Sequence, residues 1–396
     1  MLQLQIVTFK QGSYMVVEGK ADSDRFYIIQ KGTVQCFKSS GSGIQPFKLG
    51  PGDFVGVVPC MASHLQIETS IAITDVQAIA VRKEQYPELI VNNTPVALKI
   101  IKTFAARMRQ MNEMLTKATL NTVVSDTSEQ ILRVAQFYEK ASRNNIAVYA
   151  YYQYLKTKPE GQYAEMAKQK FVGLKARTRA PYFEPSKELT REYPQDTMIF
   201  SEAQSGSDMF IIQSGEVTIS KVVDGNEVTL ALLHKGDMFG EMALLENKPR
   251  SANAIAHSDC RLMVVNHENF NQMVTTQPQL ISRLTTTLAE RLWSMYRQLD
   301  NANLRDPFHK MIDMLSLQLE KQRINIDRMT SKAMQTEFTP KDIANMCGLP
   351  QETQHKAIFD FSSSAHIKLV DNKIYIKDVP ELVKQAAFYR KQSNDE

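Results

Sequence analysis

The chain has 396 residues, 43% of them hydrophobic and 23% charged, with a formal net charge of +4. That length calls for roughly two to four cores, and that composition belongs to a globular chain rather than a disordered or fibrous one. No stretch reaches the about 18 apolar residues of a membrane span, so no membrane partner is expected. The four cysteines (Cys36, Cys60, Cys260, Cys347) are scattered without a CxxC pair. A disulfide framework or a zinc site is therefore not expected, and a reducing, cytoplasmic setting is. His257, Cys260 and His267 match no common metal-ligand spacing, so no metal is expected. Charge is uneven: residues 102–191 hold 16 Lys and Arg against 8 Asp and Glu, while residues 306–396 hold 13 of each.

The N-terminus, MLQLQIVTFKQGSY, has no basic run leading into an apolar one, so no signal segment is expected. Short apolar, β-rich runs separated by Gly turns follow, as in DRFYIIQKGTV (24–34). They predict the strands of a β-barrel or jelly roll. Within this region residues 52–72 read GDFVGVVPCMASHLQIETSIA, and TFAARMRQMNEML (103–115) then has the apolar spacing of a long helix.

A helical insert follows. NIAVYAYYQYLKTKPEGQYAEMAKQKFVGLK (145–175) predicts two helices around Pro159-Glu160-Gly161. Its Tyr and Ala positions resemble a single tetratricopeptide-type hairpin; a plain helical spacer accounts for them as well. The basic end, KQKFVGLKARTRA (168–180), reads either as solvated helix charge or as a phosphate-backbone contact.

The β pattern then returns as a repeat. DMFIIQSGEV (208–217) matches 24–34 with one residue inserted. GDMFGEMALLENKPRSANAIA (236–256) aligns without a gap on 52–72, at a constant offset of 184 positions. TLAERLWSMYRQL (287–299) parallels 103–115 at that same offset.

The 236–256 stretch carries chemistry that 52–72 lacks. Gly240 admits a close backbone approach, and the short helix after it offers unpaired N–H groups to a phosphate. Arg250 supplies a planar fork of donors, and ionised Glu241 an acceptor for a sugar hydroxyl. At the matching positions of the first repeat stand Val57 for Glu241, Pro59 for Ala243, Gln66 for Arg250 and Glu68 for Ala252. Pro59 removes a donor, and Glu68 would repel a phosphate.

FGEMALLENKPRSANA resembles the phosphate-binding segment of cyclic nucleotide-binding domains, with its F-G-E-x-A-L and R-[STA]-A positions present. The resemblance implies a jelly-roll fold and a site formed by Phe239, Gly240, Glu241, Met242, Ala243, Leu244, Arg250, Ser251 and Ala252. It implies that Glu241 accepts from the ribose 2′-hydroxyl and that Arg250 and Ser251 hold the cyclic phosphate. Ser251 points to cAMP as the ligand. The family's base-contacting hydroxyl pair aligns with Met295 and Tyr296, and Ser294 lies one step off. Trp293 or Tyr296 would cover the base by stacking, or else pack a helix interface. The first repeat is expected to keep the fold and not the ligand.

Downstream, TPKDIANMCGL (339–349) opens with an N-cap Thr and an N1 Pro, turns at Gly348, and continues into PQETQHKAIFDF. HIKLVDNKIYIKD (366–378) predicts a hairpin around Asp371-Asn372. Helix, turn, helix and hairpin make a winged helix-turn-helix. With the upstream domain, it resembles the Crp/Fnr (catabolite activator protein) family of transcription regulators. That implies double-stranded DNA as a partner and Thr339, Gln351, Glu352, Thr353, His355 and Lys356 as the residues facing it. The charge-neutral 306–396 segment departs from a basic DNA footprint and leaves open a winged helix turned to protein contact.

The expected class is α+β: two jelly-roll β-barrel nucleotide-binding domains, each followed by a long helix, with a helical insert between and a C-terminal winged helix-turn-helix. The expected boundaries are 1–118, 119–190, 191–300 and 301–396. The long helices are expected to pair within one chain as a pseudo-dimer, or between chains as a homodimer. The functional expectation is a cyclic nucleotide-responsive transcription regulator; a regulatory or scaffold protein acting through protein contacts is the alternative. Neither a P-loop nor a nucleophile–base pairing is present in the sequence, so an enzyme is not expected.

Overall fold

The computed structural model describes residues 4–38, 44–120, 127–184, 186, 188–223, 225–322 and 332–395. The helices are α1 (Val57–Ala62), α2 (Tyr86–Asn92), α3 (Thr94–Leu120), α4 (Thr127–Lys140), α5 (Asn144–Thr157), α6 (Ala164–Lys175) and α7 (Glu241–Glu246). They continue with α8 (His267–Thr276), α9 (Pro278–Ala302), α10 (Pro307–Lys321), α11 (Pro340–Met346), α12 (Gln351–Ser362) and α13 (Val379–Asp395).

These elements gather into two compact units that do not follow chain order. One comprises Met1–Leu89, Gln110–Asn121 and Thr285–Glu396; the other comprises Ile90–Arg109 and Thr122–Leu284. Each long helix is thus shared. The first part of α3 belongs with the second repeat's strands, and the C-terminal part of α9 belongs with the first repeat's strands.

Each repeat is a β-sandwich of antiparallel sheets with the same strand order. In the first, one sheet runs Gln5–Phe9, Val76–Arg82, Arg25–Lys31, Phe54–Val55; the other runs Tyr14–Val16, Thr69–Ala72, Val34–Phe37, Phe47–Leu49. In the second, the matching sheets run Thr190–Tyr193, Cys260–Val265, Met209–Ser214, Met238–Phe239 and Met198–Phe200, Asn253–Ala256, Val217–Val223, Asn226–Leu233. Alternation sets the inner faces. Val34 and Cys36 point into a core with Ile29, Val55 and Ala78. Phe210, Ile212, Val217, Ala254 and Leu262 do the same in the second repeat.

The helical insert is a packed layer rather than a free spacer. Ile146, Ala147, Val148, Tyr149, Ala150, Tyr151 and Tyr154 of α5 are all buried, so this helix is covered nearly all round. It packs with Ile131, Ala135 and Tyr138 of α4, and with Met198, Val222 and Ile255 of the second sandwich. The Tyr138 hydroxyl donates to Glu227 Oε1 at 2.7 Å.

In the first unit, α9 runs into the C-terminal segment through a buried polar cluster. Arg297 Nη2 reaches Asp313 Oδ1 at 3.3 Å and Glu320 Oε1 at 3.2 Å. Asn301 Nδ2 donates to Asp313 Oδ2 at 3.0 Å, and Arg390 of α13 pairs with the same carboxylate. Next, α11 and α12 meet at a turn where Gly348 has φ of 65°. A three-stranded sheet follows, ordered Met334–Gln335, Lys373–Ile376, Ile367–Val370. Asp371 and Asn372 close its hairpin with φ of 51° and 62°, the two positive values a type I′ turn needs. Among the described residues no helix is long and apolar enough to cross a membrane.

Candidate functional site

The second repeat brings Phe239, Gly240, Glu241, Met242, Ala243, Leu244, Arg250, Ser251 and Ala252 together in one unit. Gly240 caps α7 in the left-handed region, with φ of 79°. A Cβ there would lie 2.8 Å from Arg250 Nη1 and 3.2 Å from the Asp208 carbonyl, so the position needs glycine for space as well as for its dihedral. Glu241 opens α7 at 3% exposure, beside buried Met242, Ala243 and Leu244. The Ser251 hydroxyl donates to Met242 Sδ at 3.5 Å.

Arg250 is 6% exposed. Its Nη1 donates to the Gly240 carbonyl at 2.8 Å, and its guanidinium lies over the Phe200 ring, 4.2 Å from the centroid. Its Nε is buried without a hydrogen-bond partner among the described residues. Burial pushes its pKa down to about 10, which leaves it charged at neutral pH. A buried cation with an unspent donor is costly unless an anion arrives to meet it.

The backbone around Arg250 is fixed by the loop after Met198–Phe200. Arg250 N donates to Gln204 O at 2.9 Å, and Ala203 N donates to Arg250 O at 2.8 Å. The Gln204 side chain is held at both ends: its Oε1 accepts from Ser201 N at 2.9 Å, and its Nε2 donates to the Tyr149 hydroxyl at 3.0 Å. Tyr149 stands on α5, and burial pushes its pKa up to about 12, so it stays a neutral hydroxyl.

The first repeat keeps this frame and changes its contents. Gly56 caps α1 with φ of 72°. Gly19 N donates to Gln66 O at 2.8 Å and Gln66 N donates to Lys20 O at 2.9 Å, the same two backbone bonds that flank Arg250. Gln66 is 2% exposed, and its Nε2 donates to Asp22 O at 3.2 Å. Val57 is buried, and Glu68 is buried at 6% exposure.

Each of these segments is met by a long helix from the other repeat. In the second unit, Arg109 of α3 pairs through Nε with Glu246 Oε2 at 2.6 Å and donates from Nη1 to the Pro249 carbonyl at 3.2 Å. In the first unit, Trp293 of α9 stacks on His64 at 3.8 Å and 14°, and donates from Nε1 to the Leu65 carbonyl at 3.3 Å. The 184-residue offset makes Arg109 equivalent to Trp293 and Pro249 equivalent to Leu65. Trp293 is therefore a helix-interface residue. Ser294, Met295 and Tyr296 lie on α9 in the first unit, whereas Glu241 and Arg250 lie in the second. A Cβ on Gly206 would lie 2.9 Å from Arg250 Nε and Nη2, so this glycine too borders the guanidinium; Arg109, Tyr149, Gln204 and Gly206 are candidate site residues that motif reading missed. Only Arg109 left a signal, as the counterpart of Trp293 in the repeat.

In the C-terminal segment, Thr339 caps α11. Its hydroxyl accepts from Asp342 N at 3.2 Å while Asp342 Oδ2 accepts from Thr339 N at 2.8 Å. Glu352, Thr353, His355 and Lys356 are exposed on α12; the Gln351 side chain lies outside the described ones. Phe359 stands on the same helix at 70% exposure.

The cyclic nucleotide-binding domain family matches the chain twice, over residues 6–93 and 190–277. The "cAMP-activated global transcriptional regulator CRP" of Pasteurella multocida is 30% identical over 41% of this chain and 77% of its own length. The "CRP-like cAMP-activated global transcriptional regulator" of Mycobacterium tuberculosis is 27% identical over 49% of this chain and 87% of its own. A solved structure of Thermus thermophilus Catabolite Activator Protein is 25% identical, with 50% and 90% covered and a TM-score of 0.29. With two matched sensor regions and relatives of this kind, the chain belongs to the CRP-like family of cyclic nucleotide-binding regulators.

Proposed function

We propose that this chain is a DNA-binding transcription regulator that takes one cyclic nucleotide, cAMP, in its second sandwich, and that the first sandwich is a non-binding copy. In this reading the sandwiches are jelly rolls, the C-terminal segment is a winged helix-turn-helix, and the functional divisions are 1–118, 119–190, 191–300 and 301–396. Arg250 carries it: a buried guanidinium with a free Nε beside bare Gly240 and a helix start suits a monoanionic cyclic phosphate. Glu241, at the start of the same helix, suits the ribose hydroxyl as a carboxylate acceptor. In the first repeat Gln66 fills the position of Arg250 within the same backbone frame, which supports a single ligand per chain.

Titration with a fluorescent cAMP analogue tests this. One site per chain is expected, with binding lost in Arg250→Ala; two sites of similar affinity, or an Arg250→Ala variant of full affinity, would sink it. Differential affinity for two arrangements of the chain would let the ligand bias the C-terminal segment.

Exposed Glu352, Thr353, His355 and Lys356 give α12 a polar reading face for DNA. Exposed Phe359 and the balanced charge of 306–396 favour a second reading, contact with a protein partner. Retention on mixed duplex DNA at low salt separates them: no retention with or without cAMP rejects the DNA reading.

A further inference from the structure

Arg109 makes the link between the first repeat's long helix and the second repeat's ligand segment. Helix α7 starts at Glu241 and ends at Glu246, and Pro249 immediately precedes Arg250. The ion pair with Glu246 and the hydrogen bond to the Pro249 carbonyl therefore grip the short connector whose two ends are the proposed sugar and phosphate ligands. The grip is largely out of solvent, with side-chain exposures of 15% for Arg109 and 9% for Glu246. In low dielectric such a charge-assisted contact is stiff and directional.

The repeat supplies an internal control. Both long helices donate an N–H to the equivalent carbonyl, Pro249 or Leu65. Only the second repeat adds an ion pair: the counterpart of Glu246 is Ala62, and the counterpart of Arg109 is Trp293. The pair is thus found in the repeat that has Glu241 and Arg250, and not in the one that has Val57 and Gln66. A contact needed only to seat a helix on a sandwich would have no reason to follow the ligand residues.

We propose that Arg109 is a positioning residue for cyclic nucleotide binding: through Glu246 and Pro249 it sets the spacing of Glu241 and Arg250, and so couples α3 to the occupancy of the second site. This rests on the reading of that site as a nucleotide site. By linkage, whatever holds α3 in place raises ligand affinity, and bound ligand holds α3 in return.

The test uses the full chain and a fluorescent cAMP analogue. Arg109→Gln and Glu246→Gln are each expected to weaken binding roughly tenfold, within the usual range of coupled sites. Thermal unfolding without ligand confirms that each variant folds. Arg109→Glu alone is expected to be weaker still, and Arg109→Glu combined with Glu246→Arg to regain most of the loss. Such a rescue is not produced by general loosening of the fold. Should Arg109→Gln bind as tightly as the unaltered chain, or the exchanged pair bind no better than Arg109→Glu, the proposal is overturned while the nucleotide site stands. An unaltered chain that binds no cyclic nucleotide overturns the site, and this proposal with it.

Discussion

Two bare glycines, Gly206 and Gly240, leave the room that the Arg250 guanidinium occupies. A Cβ on Gly206 would come within 2.9 Å of Arg250 Nε and Nη2, closer than real Cβ contacts allow. The guanidinium is the flexible end of a long side chain, so it would move rather than break the backbone. Gly206→Ala is therefore expected to change folding stability by less than about 1 kcal/mol. If Arg250 holds the phosphate as proposed, cyclic nucleotide binding is expected to fall roughly tenfold or more, because a displaced fork would no longer meet it. Calorimetric unfolding and ligand titration on the same sample check both halves, and undiminished affinity would show that Arg250 need not lie where the structure places it. Glu241 and Arg250 were legible in the sequence because their types and spacing form a dense local pattern. Gly206 was not, since a glycine in a polar loop reads as a turn until the side chain packed against it is known.

At the scale of elements, α5 is the surprise. Its Tyr and Ala positions told of a helix but not of its cover, because apolar residues nearly all round define no single face. In the structure it is held by α4, α6 and the second sandwich, and Tyr149 reaches the loop that frames Arg250. Tyr149→Phe removes only the hydroxyl that accepts from Gln204 Nε2. That leaves a buried donor unmet and costs about 1 kcal/mol. The same loop carries the backbone bonds to Arg250, so ligand affinity should drop about threefold to tenfold. A variant that loses stability with no change in affinity would mean that the insert supports the sandwich and has no part in the site. Some strands, in contrast, were readable: the runs 24–34 and 208–217 hold Arg25–Lys31 and Met209–Ser214. Alternation and Gly turns fix which residues face inward, and the repeat duplicated these signals.

For the whole molecule, the exchange of long helices was the feature that periodicity could not reach. An amphipathic pattern says that α9 buries one face, not which sandwich it buries it on; the contacts that decide are remote in sequence. Lys38, at 6% side-chain exposure, bridges Glu18 at 2.8 Å and Asp300 at 3.0 Å, the latter 262 positions away. With Trp293 on His64, and the Tyr86 hydroxyl 3.0 Å from Thr285 Oγ1, it forms a row of ties from the first repeat to α9, spaced about two turns apart along that helix. On the same stretch of the helix, Arg297 and Asn301 join α9 to α10. The first repeat therefore serves as the bed on which the C-terminal part of α9 lies. Lys38→Met would leave Glu18 and Asp300 facing each other with Arg297 Nη1, 4.0 Å from Asp300 Oδ2, offsetting them only in part, a loss of about 1–3 kcal/mol. Trp293 is the chain's one tryptophan and lies in that unit, so its fluorescence reports on it alone. The denaturant midpoint followed by Trp293 should move lower in Lys38→Met, whereas the cAMP binding proposed for the second unit should keep its affinity under native conditions. An unmoved midpoint would show that the Lys38 bridge contributes little. A lowered midpoint accompanied by an equal loss of cAMP affinity would show that the two units stand or fall together.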